Sequence, residues 1–139
     1  MSVWTDHERA VLGTIGDVVI PAGGPLPSAT EAGVDGPGID EIAAIRPDLL
    51  EAGRAVVAAV GDQVPTTVAE LRGVVPALFS AVTELLASAY FLRPDIAAQV
   101  GYRARRAIPL DDEDLRRREL VSLVRPVVDR GNVWRVTPG

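Results

Sequence analysis

Between positions 17 and 34 the chain reads Asp17-Val18-Val19-Ile20-Pro21-Ala22-Gly23-Gly24-Pro25-Leu26-Pro27-Ser28-Ala29-Thr30-Glu31-Ala32-Gly33-Val34. Three prolines and three glycines in this span rule out a continuous helix and a central strand. A small domain keeps so long an irregular segment only when the loop has a surface to sit on. A helix signal precedes it and a mostly helical body follows, so the loop constrains how everything else packs.

The chain has 139 residues, which predicts one domain, 1–139, with a sizeable core. Hydrophobic residues make up 47% and aromatic residues only 4%. The apolar mass is therefore Ala, Val and Leu, which favours packed helices over a β-sandwich. The predicted fold class is all-α: a multi-helix domain with a long Pro/Gly-rich N-terminal loop and an extended C-terminal tail.

Composition also excludes chemistry. No cysteine is present, so disulfides, thiolate nucleophiles, iron–sulfur ligation and cysteine zinc sites are ruled out. All fourteen basic residues are Arg, which removes Schiff-base lysines and a P-loop lysine. A net charge of −5 argues against nonspecific nucleic-acid binding. Met1-Ser2-Val3-Trp4-Thr5-Asp6 carries no basic region followed by an apolar one, and no twin arginine. That predicts a cytoplasmic chain, with export on a partner's signal left open.

Thr5-Asp6-His7-Glu8 reads as a capping box. Val11, Leu12, Ile15, Val18 and Val19 recur at three and four, predicting a helix with one buried face that ends at Pro21. Ala22 to Gly38 is predicted loop, with one turn at Ser28–Glu31. A short helix is predicted over Ile39–Ile45, an amphipathic one from Pro47 to a stop at Gly61, and a short one from a cap at Thr66 or Thr67 through Leu71. Pro76–Leu92 gives the strongest helix signal, its core face formed by Leu78, Phe79, Val82, Leu85, Leu86, Ala89 and Tyr90. Ser80, Glu84 and Ser88 make a polar strip that, with Pro76, speaks against a membrane span. A short helix over Pro94–Val100 leads into a loop from Gly101 to Leu110. Asp111-Asp112-Glu113-Asp114 then opens a last helix. Asp112–Arg116, Glu113–Arg117 and Asp114–Arg118 are i,i+4 pairs on it. Its apolar stripe is Leu120, Leu123, Val124, Val127 and Val128. Pro126 is expected to break or kink it, and Gly131 to end it. Asn132–Gly139 reads as the tail.

Catalytic patterns are sparse. His7 is the only histidine, and at a helix start the dipole disfavours its cation. A general base would need a partner in a pocket, for which Asp17 or Glu84 are the candidates. Asp35, Asp40 and Glu41 lack the EF-hand spacing. No GxGxxG, GxxxxGK[ST] or GxSxG pattern occurs. No catalytic, cofactor-binding or metal-binding residue is therefore assigned, and the chain alone is read as noncatalytic. Contact residues are better supported. Arg103, Arg105 and Arg106 form a basic run beside Tyr102, and Tyr and Arg are favoured at interfaces. Trp4 and Trp134 each need a cover, from their own domain or from another chain.

Five segments, in order, resemble the gluconate 2-dehydrogenase subunit 3 family. They are Asp17-Val18-Val19-Ile20-Pro21, Pro27-Ser28-Ala29-Thr30-Glu31-Ala32-Gly33-Val34, Ala89-Tyr90-Phe91, Gly101-Tyr102-Arg103-Ala104 and Arg130-Gly131-Asn132-Val133-Trp134-Arg135. The resemblance implies a noncatalytic small subunit that stabilises a larger FAD-dependent oxidoreductase of the glucose–methanol–choline type. The flavin and the catalytic base would then belong to the partner. This chain differs from that pattern in lacking the twin-arginine signal and cysteine, and in having Arg103-Ala104 where Pro-Gly is usual.

The expected partner is thus a larger FAD-dependent subunit, with no nucleic acid and no direct membrane span. Pro21, Pro27, Tyr102, Arg103, Trp134 and Arg135 are the expected contact or loop-shaping residues. The rival reading is a self-contained helical binding or regulatory module that assembles with its own copies.

Overall fold

Thr5 starts the fold as its side chain predicts. In the computed structural model its hydroxyl accepts the Glu8 N–H (3.2 Å), and the Glu8 carboxylate accepts the Thr5 N–H (2.7 Å). This closes the capping box of α1, Asp6–Val19. The structure describes residues 2–102 and 113–131, with side chains from 117 onward in the second stretch. The chain divides into two compact units, Met1–Arg103 and Ala104–Gly139.

In the first unit α1 is followed by a loop, one wide π-type turn at Val34–Gly38, and then α2, Ile39–Ile45. Pro47 opens α3, Pro47–Val60, which stops at Gly61. Helix α4 is Val68–Val74, α5 is Phe79–Phe91 and α6 is Pro94–Gln99. The described residues contain no strand beyond one isolated bridge, Gly23 to Leu26. The all-α class is therefore the observed one.

Helix α5 is the centre of this unit. It packs against α1, α2, α3, α6 and the π turn. Val82, Leu85, Leu86, Ala89 and Tyr90 form its inner face, meeting Leu12 and Ile15 of α1, Val56 of α3 and Ile96 of α6 in one core. Burying each Leu or Ile here contributes about 1.5–3 kcal/mol. Every buried side-chain polar atom among the described residues has a partner, so none carries the cost of a buried unsatisfied group.

Two helix boundaries differ from expectation. Helix α4 runs to Val74, past Leu71, because Val75 is buried and its N–H reaches the Leu71 carbonyl at 3.0 Å. Helix α5 starts at Phe79 and not at Pro76. The Leu78 N–H bonds the Val75 carbonyl (3.1 Å), so the Pro76 segment closes a turn first.

Trp4 folds back on its own domain. It is 3% exposed, and its indole N–H donates to the Ile39 carbonyl at 3.4 Å. The Arg54 guanidinium lies over its ring, 5.9 Å from the centroid. Gly53 supplies the notch: a Cβ there would stand 2.7 Å from Trp4 Cη2.

The second unit contains α7, Glu113–Asp129, which continues past Pro126 without breaking. Its expected apolar stripe, Leu120, Leu123, Val124, Val127 and Val128, is exposed. The three predicted i,i+4 pairs involve side chains outside the described residues. No described helix is long and apolar enough to cross a membrane.

Candidate functional site

The loop after α1 is held by its own residues. Pro21 cannot extend the helix, and the chain turns out and returns so that the Ala29 N–H bonds the Ile20 carbonyl at 3.1 Å. Asp17, on the last turns of α1, clasps the returning segment. It accepts the Thr30 N–H at 2.9 Å and the Thr30 hydroxyl at 2.6 Å. Burial would raise the Asp17 pKa, but these bonds and one involving Ser28 outweigh it and hold the carboxyl below its ordinary value. The Glu31 carboxylate accepts the Ser28 N–H at 2.8 Å, which makes the predicted single turn. Ala29, Ala32 and Val34 then enter the core.

Two further clasps fix the loop to the helices. The Tyr90 hydroxyl donates to the Pro27 carbonyl at 2.7 Å. Burial pushes the Tyr90 phenol up, and the charges of Asp95 and Glu31 add to this, so the group stays a protonated donor. Arg9 donates to the carbonyls of Asp35 (2.7 Å) and Gly36 (2.8 Å), and pairs with Ser2 and Asp40. One guanidinium thereby satisfies the open carbonyls of the π turn.

Beside this loop, at the C-terminal end of α5, lies an apolar cleft of about 520 Å³. Ile42, Phe91, Leu92, Ala97, Val100 and Tyr102 line it, with Ser88 as a polar edge. Phe91, Leu92, Val100 and Tyr102 are 48–66% exposed. Ile45, one turn from Ile42 on α2, is also exposed. The Phe91 ring meets Tyr90 edge-on, with centroids 5.3 Å apart. Loop base and cleft therefore join at Tyr90-Phe91. Large exposed apolar patches are where proteins meet partners, which makes this cleft the candidate site.

The expected contact residues divide accordingly. Tyr102 lines the cleft and Pro21 is exposed on the loop. Pro27 is half-buried and shapes the loop through its carbonyl. Arg103, Trp134 and Arg135 lie outside the described residues. Phe91, Leu92 and Val100 are not among the contact residues expected from sequence. The available signal was positional: the inner stripe of α5 ends at Tyr90, which leaves the next two apolar residues facing outward.

Neither Asp17 nor Glu84, the alternative partners for His7, is bonded to it among the described residues. His7 is exposed on the first turn of α1, while Asp17 lies ten residues further along the same helix, about 15 Å by helical rise. Asp17 is engaged with Thr30, and Glu84 accepts from Arg46 at 2.8 Å. Among the described residues, no group of three or more His, Asp and Glu side chains is arranged to hold a metal. No protein-family model, curated protein or solved structure matches the chain.

Proposed function

We propose that this chain is a noncatalytic small subunit of the gluconate 2-dehydrogenase subunit 3 type. It binds and stabilises a larger FAD-dependent oxidoreductase of the glucose–methanol–choline type, in the cytoplasm. The ordered motifs supply the partner's class. The observation that carries the reading is the apolar cleft at the end of α5, a surface built for contact next to a loop that is firmly clasped. Aromatic residues such as Phe91 and Tyr102 are the types that anchor interfaces. On this reading the flavin sits in the partner, and Arg103, Trp134 and Arg135 add contacts from the C-terminal segments.

The test is purification of the tagged chain from cells that encode it, followed by a visible spectrum. A larger chain carrying a flavin absorbance band is expected, with recovery lost in Phe91→Asp. A colourless, folded, single-chain product would refute the subunit reading. It would favour the self-contained helical module, for which the well-satisfied core of residues 2–102 is the supporting observation.

A further inference from the structure

Six apolar residues of α7 lie in the open: Leu120, Val121, Leu123, Val124, Val127 and Val128 are 46–72% exposed. At about 100° per residue they fill one continuous face of the helix, while Ser122, Pro126 and Asp129 fall on the opposite one. From Leu120 to Val128 the stripe is about 12 Å long, with Val124 at its midpoint. A charge of opposite sign stands at each end of it, Glu119 just before Leu120 and Arg130 two positions past Val128. These two are eleven positions apart, roughly three full turns, so both lie on the same flank of the stripe.

We propose that α7 pairs antiparallel with α7 of a second copy of this chain, apolar stripe against apolar stripe. Turning the second helix end for end about Val124 lays Leu120 and Val121 against Val128 and Val127 of the other copy. The same turn brings Glu119 of each copy to within about 1.5 Å, along the axis, of the level of Arg130 in the other. Two opposite-charge pairs thus close the two ends of one flank, and the helix dipoles oppose each other. A second copy supplies what this face needs: an equal apolar stripe whose end charges are reversed. That charge match is the argument for a copy of this chain as the occupant. On the other flank the two Arg125 side chains come level. With so short a stripe, their approach makes the pair weak and concentration-dependent. Pairing through α7 uses none of the cleft residues, so it neither requires nor excludes a flavoprotein partner.

Sedimentation equilibrium of the full chain, produced alone and run over a wide concentration range, tests this. The variants are Val124→Glu at the centre of the stripe, Ser122→Glu on the opposite face, Glu119→Arg, Arg130→Glu and the double charge swap, with far-ultraviolet circular dichroism to check helix content. The proposal expects a monomer–dimer equilibrium in the wild type and in Ser122→Glu. Val124→Glu should weaken it at least about tenfold, since each copy would have to bury a charge. Each single charge swap should weaken it about threefold, and the double swap should restore it, because the reversed pairs re-form between the copies. A wild type that stays monomeric at every concentration would overturn the proposal. So would a dimer that Val124→Glu leaves intact, which places the contact elsewhere, or a double swap that fails to rescue, which rules out the antiparallel register. A monomeric wild type captured by phosphatidylserine vesicles, with capture lost in Val124→Glu, would assign the stripe to a membrane surface and also overturn it.

Discussion

Replacing Gly53 by Ala pits helix propensity against packing, and the structure predicts that packing wins. Gly53 lies inside α3, where Ala is favoured by about 0.8–1 kcal/mol. The added methyl would stand 2.7 Å from Trp4 Cη2, 3.2 Å from Trp4 Cζ3 and 3.1 Å from Leu85 Cδ2. Leu85 can adjust a rotamer, but the indole is held by its bond to Ile39 and by Arg54 over its face. Overpacking of this kind costs about 1–3 kcal/mol, and a contact this short belongs in the upper half of that range. Subtracting the propensity gain leaves a net loss of about 1–2 kcal/mol. At roughly 5 °C per kcal/mol for a domain of this size, Gly53→Ala lowers the thermal midpoint by roughly 5–10 °C. Urea titration of wild type, Gly53→Ala, Trp4→Leu and the double variant checks the cause. With the indole gone the methyl has room, so the penalty shrinks and the cycle shows a coupling of about 1–3 kcal/mol. A stabilising Gly53→Ala, or strictly additive changes, would refute the placement of Trp4 in this notch.

Asp17→Ala should unfasten the loop at a cost of about 1 kcal/mol at neutral pH, read by urea titration. Because the folded pKa of Asp17 lies below its ordinary 3.8, the clasp is at full strength above that value and is lost as pH falls through the lower, folded one. The gap between wild type and variant should therefore close only in acid. Arg9→Ala should cost about 2 kcal/mol by leaving the Asp35 and Gly36 carbonyls and Asp40 without their donor. Hydrogen exchange should speed up first across residues 34–40. Arg46→Ala should leave the thermal midpoint unchanged within error, since its pairs with Asp48 and Glu84 are exposed.

The local part of the fold was legible because its signals are local. Thr5 with Glu8, Pro47 and Gly61 announce helix ends through their own backbone chemistry, and the three-and-four spacing of Leu12 and Ile15 shows which face is buried. The start of α5 differs from the expected one because Pro76 is as well suited to a turn as to a first helical turn. The choice was made by the Leu78–Val75 bond. The fate of Trp4 was illegible for a different reason: the notch at Gly53 lies 49 residues away in sequence. Similarly, the cleft depends on α2, α5 and α6 meeting. Tyr102 stands out in sequence as an aromatic beside arginines, while Phe91, Leu92 and Val100 carry no comparable local signal.

The most direct test of the subunit account is a native mass spectrum of the tagged chain as purified from cells that encode it. The account predicts a particle whose mass is this chain plus a larger one plus noncovalent FAD, and which releases FAD on denaturation. A particle made only of this 14.7 kDa chain, singly or in multiples, would contradict it.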